Sequence, residues 1–329
     1  MSTSTSSNKK ATDQKVSFEG GFTQRYGCYI FLAALVVFNC FFTERFFSMV
    51  TFWAIWPQAF TTVMAALGMT LVISTGGIDI STGGIIAFAG TLCGHLYVNL
   101  EMPLWICLVV CVLGSVLIGL FNGFIIARFK VPPIVVTLIS MMVFRGVAQV
   151  FTGGEPVYIT YMPLNDITTY KFWTQGMPIQ FLLIIFFTAL FIFITKKTLF
   201  GRQIQAVGEN DVAAKFAGIN NFSTTIWVYT IAATAVGFAA IVEAGRVGNC
   251  NPTVMGKNAE MDAIAAVAVG GTSMTGGKAR VLGSVAGALI MQLVSMTVNY
   301  HGWNTSWGEV IKAVVLILAV CLQTAKKKS

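Results

Sequence analysis

Few side chains in this sequence can do chemistry, and most of those few sit among glycines. The stretch Thr75-Gly76-Gly77-Ile78-Asp79-Ile80-Ser81-Thr82-Gly83-Gly84 sets a carboxylate and three hydroxyls between two apolar runs, Trp53 to Ser74 and Ile85 to Tyr97. A second stretch, Gly270-Gly271-Thr272-Ser273-Met274-Thr275-Gly276-Gly277, repeats the plan of two double glycines around small polar residues, with Asp262 shortly before it. Arg145 and Gln149 stand one helical turn apart inside another apolar run, so they share a face. These are groups that bind and position. No nucleophile with a base, and no set of metal ligands at a recognisable spacing, accompanies them. Facing a polar path, Arg145 and Gln149 can hydrogen-bond the hydroxyls of a passing solute; facing lipid headgroups, Arg145 only anchors its helix. The sequence leaves both roles open. Asp79 and Asp262 each precede an apolar segment, where a helix N-terminus favours an anion and its free N–H groups. For Asp79 that structural role is favoured over contact with a solute.

Other features carry no chemistry. Thr272 to Lys278 comes near a phosphate-binding loop through Gly277-Lys278, but Thr272 replaces the first glycine and Ala279 replaces the magnesium-binding hydroxyl. If ATP is used, another chain hydrolyses it. The seven cysteines form no CxxC pair and lie mostly in apolar stretches, so they read as small core residues. His95 and His301 are isolated.

The elements that must hold these residues are membrane helices. Of 329 residues, 56% are hydrophobic and 10% charged, and the mean hydropathy is +0.76, which excludes a soluble globular domain. Ten apolar segments can be counted: Tyr26 to Phe42, Trp53 to Ser74, Thr82 to Tyr97, Leu104 to Ala127, Pro132 to Phe151, Ile179 to Thr195, Ser223 to Val242, a short one ending at Val269, Val281 to Val298 and Val310 to Cys321. The eighth has only seven residues between Asp262 and Gly270, so it either starts nearer Met255 or is a half-helix. Residues 1–25 read as a cytoplasmic tail, 26–323 as the membrane domain and 324–329 as a basic cytoplasmic tail. The net charge of +8 is distributed by position. Arg128/Lys130, Lys196/Lys197/Arg202/Lys215, Lys278/Arg280 and Lys326-Lys327-Lys328 fall in alternate connections, which puts both termini inside by the positive-inside rule. That distribution reports orientation and gives no reason to expect nucleic acid as a partner.

Each interior glycine costs a helix about 0.8–1 kcal/mol relative to alanine, so the helices should break around 75–84 and 270–277. Non-helical backbone survives at membrane depth only where protein or a water-filled cavity satisfies it, and paired breaks in the two halves of a chain point to a transport path. Thr75, Gly76, Gly77, Asp79, Ser81, Arg145, Gln149, Asp262, Gly270, Gly271 and Thr272 are therefore the path candidates. Gly90/Gly94, Gly119/Gly123 and Gly283/Gly287 are small-residue pairs expected to let helices approach closely.

Between the sixth and seventh segments, Thr198 to Asn220 is polar and basic, with an amphipathic helix expected over Asp211 to Ala217, capped by Asn210 and stopped by Gly218. Here Gly201-Arg202, Ala206, Gly208, Asn210, Ala213-Ala214 and Gly218-Ile219 resemble the coupling loop of sugar-importer permeases of the ATP-binding-cassette class. The resemblance continues through Thr75 to Ser81, Arg145-Gly146, Thr152-Gly153-Gly154 and Met261 to Val267 with its double glycines. It covers most of the chain from about residue 60 and points to the ribose/galactose/galactofuranose group. Arg145 to Gln149, Ala206 to Gly208 and Ala213 to Lys215 look nearest to the galactofuranose branch.

The resemblance implies an all-α integral membrane permease of about ten transmembrane helices in the bacterial plasma (inner) membrane, with no catalytic residues. Gly201, Arg202, Gly208, Glu209, Asn210, Ala213, Ala214 and Gly218 would form the loop that meets a separate ATPase. ATP and magnesium would be bound on that partner, with no cofactor on this chain. An external sugar-binding protein, a second permease and membrane lipid complete the implied partners. The reading from another class is an ion-coupled secondary transporter of a small polar solute, which Asp79 and Asp262 keep open; the amphipathic loop argues against it.

Overall fold

The computed structural model describes residues 19–43, 46–159, 163–172 and 176–325. Most of the expected N-terminal tail and Lys326-Lys327-Lys328 therefore lie outside the described residues. Long apolar stretches here satisfy their own backbone groups as helices, as hydrocarbon requires. In chain order these are α1 (Glu19–Phe42), α2 (Met49–Ser74), α3 (Thr82–Val98), α4 (Leu104–Phe129), α5 (Pro133–Thr152), α6 (Pro163–Thr169), α7 (Ile179–Lys197), α8 (Leu199–Glu209), α9 (Asp211–Phe216), α10 (Asn221–Val247), α11 (Ala259–Val269), α12 (Val281–Tyr300) and α13 (Thr305–Ala325). Two short antiparallel ladders clip the connections: β1 (Val157–Tyr158) to β4 (Asn249–Cys250), and β2 (Lys171–Phe172) to β3 (Met177–Pro178).

Among the described residues, six helices, α2, α4, α5, α7, α10 and α12, are long and apolar enough to cross a membrane, and two shorter apolar helices are Gly27–Phe42 and Thr82–Val98. The eighth segment is α11, of 11 residues, or about 16 Å at 1.5 Å per residue. Of the two alternatives for it, the half-helix is the one formed. The helices break at residues 75–81 and 270–280; the first break is shorter than the expected 75–84, because Gly83 and Gly84 lie in the first turn of α3, where Gly84 lets its backbone pack against Met141.

The centre is built from α2 and α10, whose buried faces are rich in Ala, Gly and Thr. Small residues decide how closely the backbones approach. A methyl group on Gly68 would lie 2.9 Å from Ala232 Cα, and on Gly123 2.7 Å from Ile226 Cα, so α10 fits against α2 and α4 only without those side chains. The three glycine pairs all serve such contacts: Gly90/Gly94 against Met255 and Cys250, Gly119/Gly123 against α10, and Gly283/Gly287 against Gly270 and Ala266. Outward, α4 exposes Val109, Leu113, Leu117 and Phe121 at four-residue spacing, an apolar stripe that a chain surrounded by water rarely tolerates. It suits hydrocarbon.

Candidate functional site

The amphipathic connection builds its own geometry from local signals. Thr198 caps α8 by accepting a hydrogen bond from Gly201 N (3.1 Å), and α8 buries Ile204 and Val207 while Arg202 and Glu209 stay exposed. Asn210 caps α9 as expected, its Oδ1 accepting from Ala213 N (2.9 Å). Gly218 follows at φ +83°, the left-handed turn that stops a helix and that a side chain would strain. On α9, Val212 and Phe216 are 58% and 89% exposed, Ala213 is exposed, and Ala214 is buried at 4%. Of the two alanines, then, only Ala213 belongs to the outward face.

At the C-terminal end of α8 three backbones converge. A methyl on Gly208 would collide with Ser74 O and lie 2.6 Å from Gly277 N, while Gly277 N donates to Ser74 O (2.9 Å). From the other side, a methyl on Gly276 (φ +91°) would collide with Gly208 O. The two glycine breaks, distant in sequence, thus meet under the end of α8, with Glu209 Cγ 3.4 Å from the position of a methyl on Gly277.

Within the first break, Thr75 Oγ1 donates to Val72 O (2.7 Å), Gly76 is exposed, and Gly77 is buried beneath the Tyr229 hydroxyl. Asp79 is 2% exposed, and its Oδ1 accepts from Ser81 N (2.8 Å) and Ser81 Oγ (2.5 Å) just ahead of α3. Asn122 Nδ2 donates to Ser81 Oγ (3.1 Å) and Ile80 N to Thr137 Oγ1 (3.0 Å), tying the break to α4 and α5. In the second break Thr272 Oγ1 accepts from Arg280 N (3.1 Å), buried Gly270 lies against Gly283, and Gly271 is half-buried. The polar groups of both breaks spend their hydrogen bonds on neighbouring backbone and helices.

Arg145 is half-buried and spends its donors within the protein. Its Nη1 donates to Pro252 O and Thr253 O (both 3.3 Å) and its Nη2 to Gly83 O (3.1 Å) and Gly256 O (3.2 Å). One guanidinium, with its fan of donors, pins the loop before α11 to the first turn of α3. Gln149 is half-buried one turn further along α5. On the other side of that loop, Asp262 sits in the first turn of α11 as its helix-start position predicts, and Lys312 Nζ of α13 pairs with its Oδ2 at 2.7 Å. Beside the pair, Asn258 Nδ2 donates to Glu309 Oε1 (2.9 Å). Lys312, Glu309 and Asn258 were not among the sequence candidates. The signal for Lys312 was present, since a lysine within the run Val310 to Cys321 is as expensive in hydrocarbon as Arg145.

Comparison with known proteins matches this architecture to a family. The profile described as branched-chain amino acid transport system / permease component covers residues 51–320, from α2 into α13, including both breaks and the α8–α9 hairpin. The chain belongs to this permease family. The permease is 31% identical over 303 residues to the ribose import permease protein of Haemophilus influenzae, covering 92% of this chain and 93% of that one. It is 34% identical over 271 residues to the galactofuranose transporter permease protein of Escherichia coli K12, covering 82% and 78%. It is 33% identical over 267 residues to the fructose import permease protein of Bifidobacterium longum, covering 80% and 74%. No solved structure matches.

Proposed function

We propose that this permease is the membrane subunit of an ATP-binding-cassette importer that carries a monosaccharide across the bacterial inner membrane. The observation that carries the reading is the similarity, over 80–92% of the chain, to permeases named for ribose, galactofuranose and fructose. The family description names branched-chain amino acids. Sugar is preferred because these individual relatives, matched over most of their length, are all named for sugars.

Mechanically, α9 offers Val212, Ala213 and Phe216 to a separate ATPase, which binds ATP and magnesium. Movement of the hairpin reaches both breaks through Gly208. Arg128, Lys130, Lys196, Lys197, Arg202, Lys215, Lys278 and Arg280 belong to connections at the hairpin end of the bundle, which supports placing that end in the cytoplasm. With α11 as a half-span, α1, α2, α3, α4, α5, α7, α10, α12 and α13 bring the number of membrane segments to ten, with both termini cytoplasmic. A second permease, identical or homologous, completes the path, and an external binding protein delivers the solute. Both glycine breaks, Arg145, Gln149 and Asp262 shape that path. The solute class is tested by loading proteoliposomes with the assembled transporter and ATP and offering D-ribose, D-galactose, D-fructose and L-leucine. Uptake of a sugar is expected, and uptake of leucine alone would overturn the reading.

A further inference from the structure

The Asp262–Lys312 pair joins two helices of an apolar bundle and yet remains partly open. Helices α11 and α12 run antiparallel, with Gly270 against Gly283 and Ala266 against Gly287. Carrying that register one turn further sets Asp262 level with Met291, near the middle of the 20 residues of α12. The side chains of Lys312 and Asp262 remain 18% and 21% exposed; Gly308 lies against Val298, which sets Glu309 nearer the Tyr300 end of α12, where Glu309 and Lys257 are exposed and Asn258 is half-exposed. Contact of such charges with hydrocarbon is expensive. A pair kept only for the fold has no need to stay open; Asp79, whose partners are all local, is sealed. Glu260, on the same turn of α11, is 7% exposed, and its Oε2 has no hydrogen-bond partner. A methyl on Gly83 would collide with that oxygen and lie 3.3 Å from Arg145 Nη2, so Glu260 and Arg145 flank the same point. The cluster balances Arg145, Lys257 and Lys312 against Glu260, Asp262 and Glu309.

We infer that Asn258, Asp262, Glu309 and Lys312 form a solute-contacting wall in the outer half of the transport path, reading the hydroxyls of a neutral polyol. The inference rests on the importer reading and adds residues of α13 to it. Alternating donors (Lys312, Asn258) and acceptors (Asp262, Glu309) suit hydroxyls, which both donate and accept. With one ammonium against two carboxylates, the wall gives no net attraction to sugar acids or sugar phosphates.

The test uses the complete transporter with its ATPase and binding protein in proteoliposomes, with Lys312→Cys and, separately, Glu309→Cys, and a membrane-impermeant methanethiosulfonate reagent. The native chain run in parallel accounts for its own cysteines. Both introduced cysteines are expected to react, more slowly when the transported sugar is present, and their labelling to block uptake. Glu309→Gln is expected to raise the KM for sugar by roughly 3–10-fold, the loss of one or two hydrogen bonds, with little change in maximal rate. It should also make D-galacturonate a better inhibitor, which a purely structural role would not do. If neither cysteine reacts while the native transporter works normally, the face is covered by lipid or by the second permease and the inference is wrong. If the native assembly takes up no sugar with ATP, the importer reading itself fails and the wall falls with it.

Discussion

At the scale of single residues, Gly208 and Arg145 carry most of the consequence. No side chain fits at Gly208, because the backbones of Ser74 and Gly277 occupy its place. Gly208→Ala should force α8 away from both breaks, an overpacking cost of about 1–3 kcal/mol. The expected outcome is a protein that inserts normally but melts lower in detergent and loses most ATP-driven uptake; full uptake would show that the junction transmits nothing. Arg145 donates to four carbonyls, and Arg145→Leu leaves those without other partners unsatisfied at about 1–3 kcal/mol each. Thermal stability and uptake should fall in the order Arg, Lys, Leu at this position, measured on detergent extracts and vesicles respectively. A Leu variant of native stability would remove the pinning role. What the sequence disclosed at this scale was local: Asp79 facing its own helix start and Asn210 capping α9 both follow from neighbours in the chain. The acceptors of Arg145 and the partner of Asp262 lie 50 to more than 100 residues away, where spacing along the chain says nothing.

At the scale of elements, α9 has two kinds of position. Ala213 is exposed and Ala214 is turned into the protein, so the same bulky substitution should fail in two different ways. Ala213→Trp is expected to leave the permease stable while weakening co-purification with the ATPase and transport-stimulated hydrolysis. Ala214→Trp should lower the stability of the permease itself. Lys215→Ala should do less than either, because an exposed ion pair is usually worth under about 1 kcal/mol. If Ala213→Trp and Phe216→Ala both retain full assembly and stimulation, the docking surface lies elsewhere. Helix positions were legible because hydrophobic runs of membrane length leave little choice, and the glycine breaks because glycine is the poorest helix former after proline. The length of the eighth segment was left between two alternatives. Only packing against α12, through Gly270, Gly283 and Gly287, shows how a half-helix is held.

At the scale of the whole molecule, the two breaks and the hairpin end of the bundle form one unit. A hydrogen bond from Gly277 to Ser74 joins the halves of the chain, and α8 lies across the join. Under the proposed mechanism a push on α9 would reach both halves at once, which is what a transporter driven by a separate motor needs and what an ion-coupled carrier does not. The sequence showed both breaks and the amphipathic connection but not their meeting, since no local pattern encodes contact between residues 74, 208 and 277. Energy source is thus the most direct test. Reconstitute the permease with its binding protein, with and without the ATPase, and measure sugar accumulation under ATP and under imposed proton or sodium gradients. Accumulation that needs both ATPase and ATP, and is indifferent to the gradients, is the expected result. Accumulation driven by an ion gradient with neither ATP nor ATPase present would contradict it.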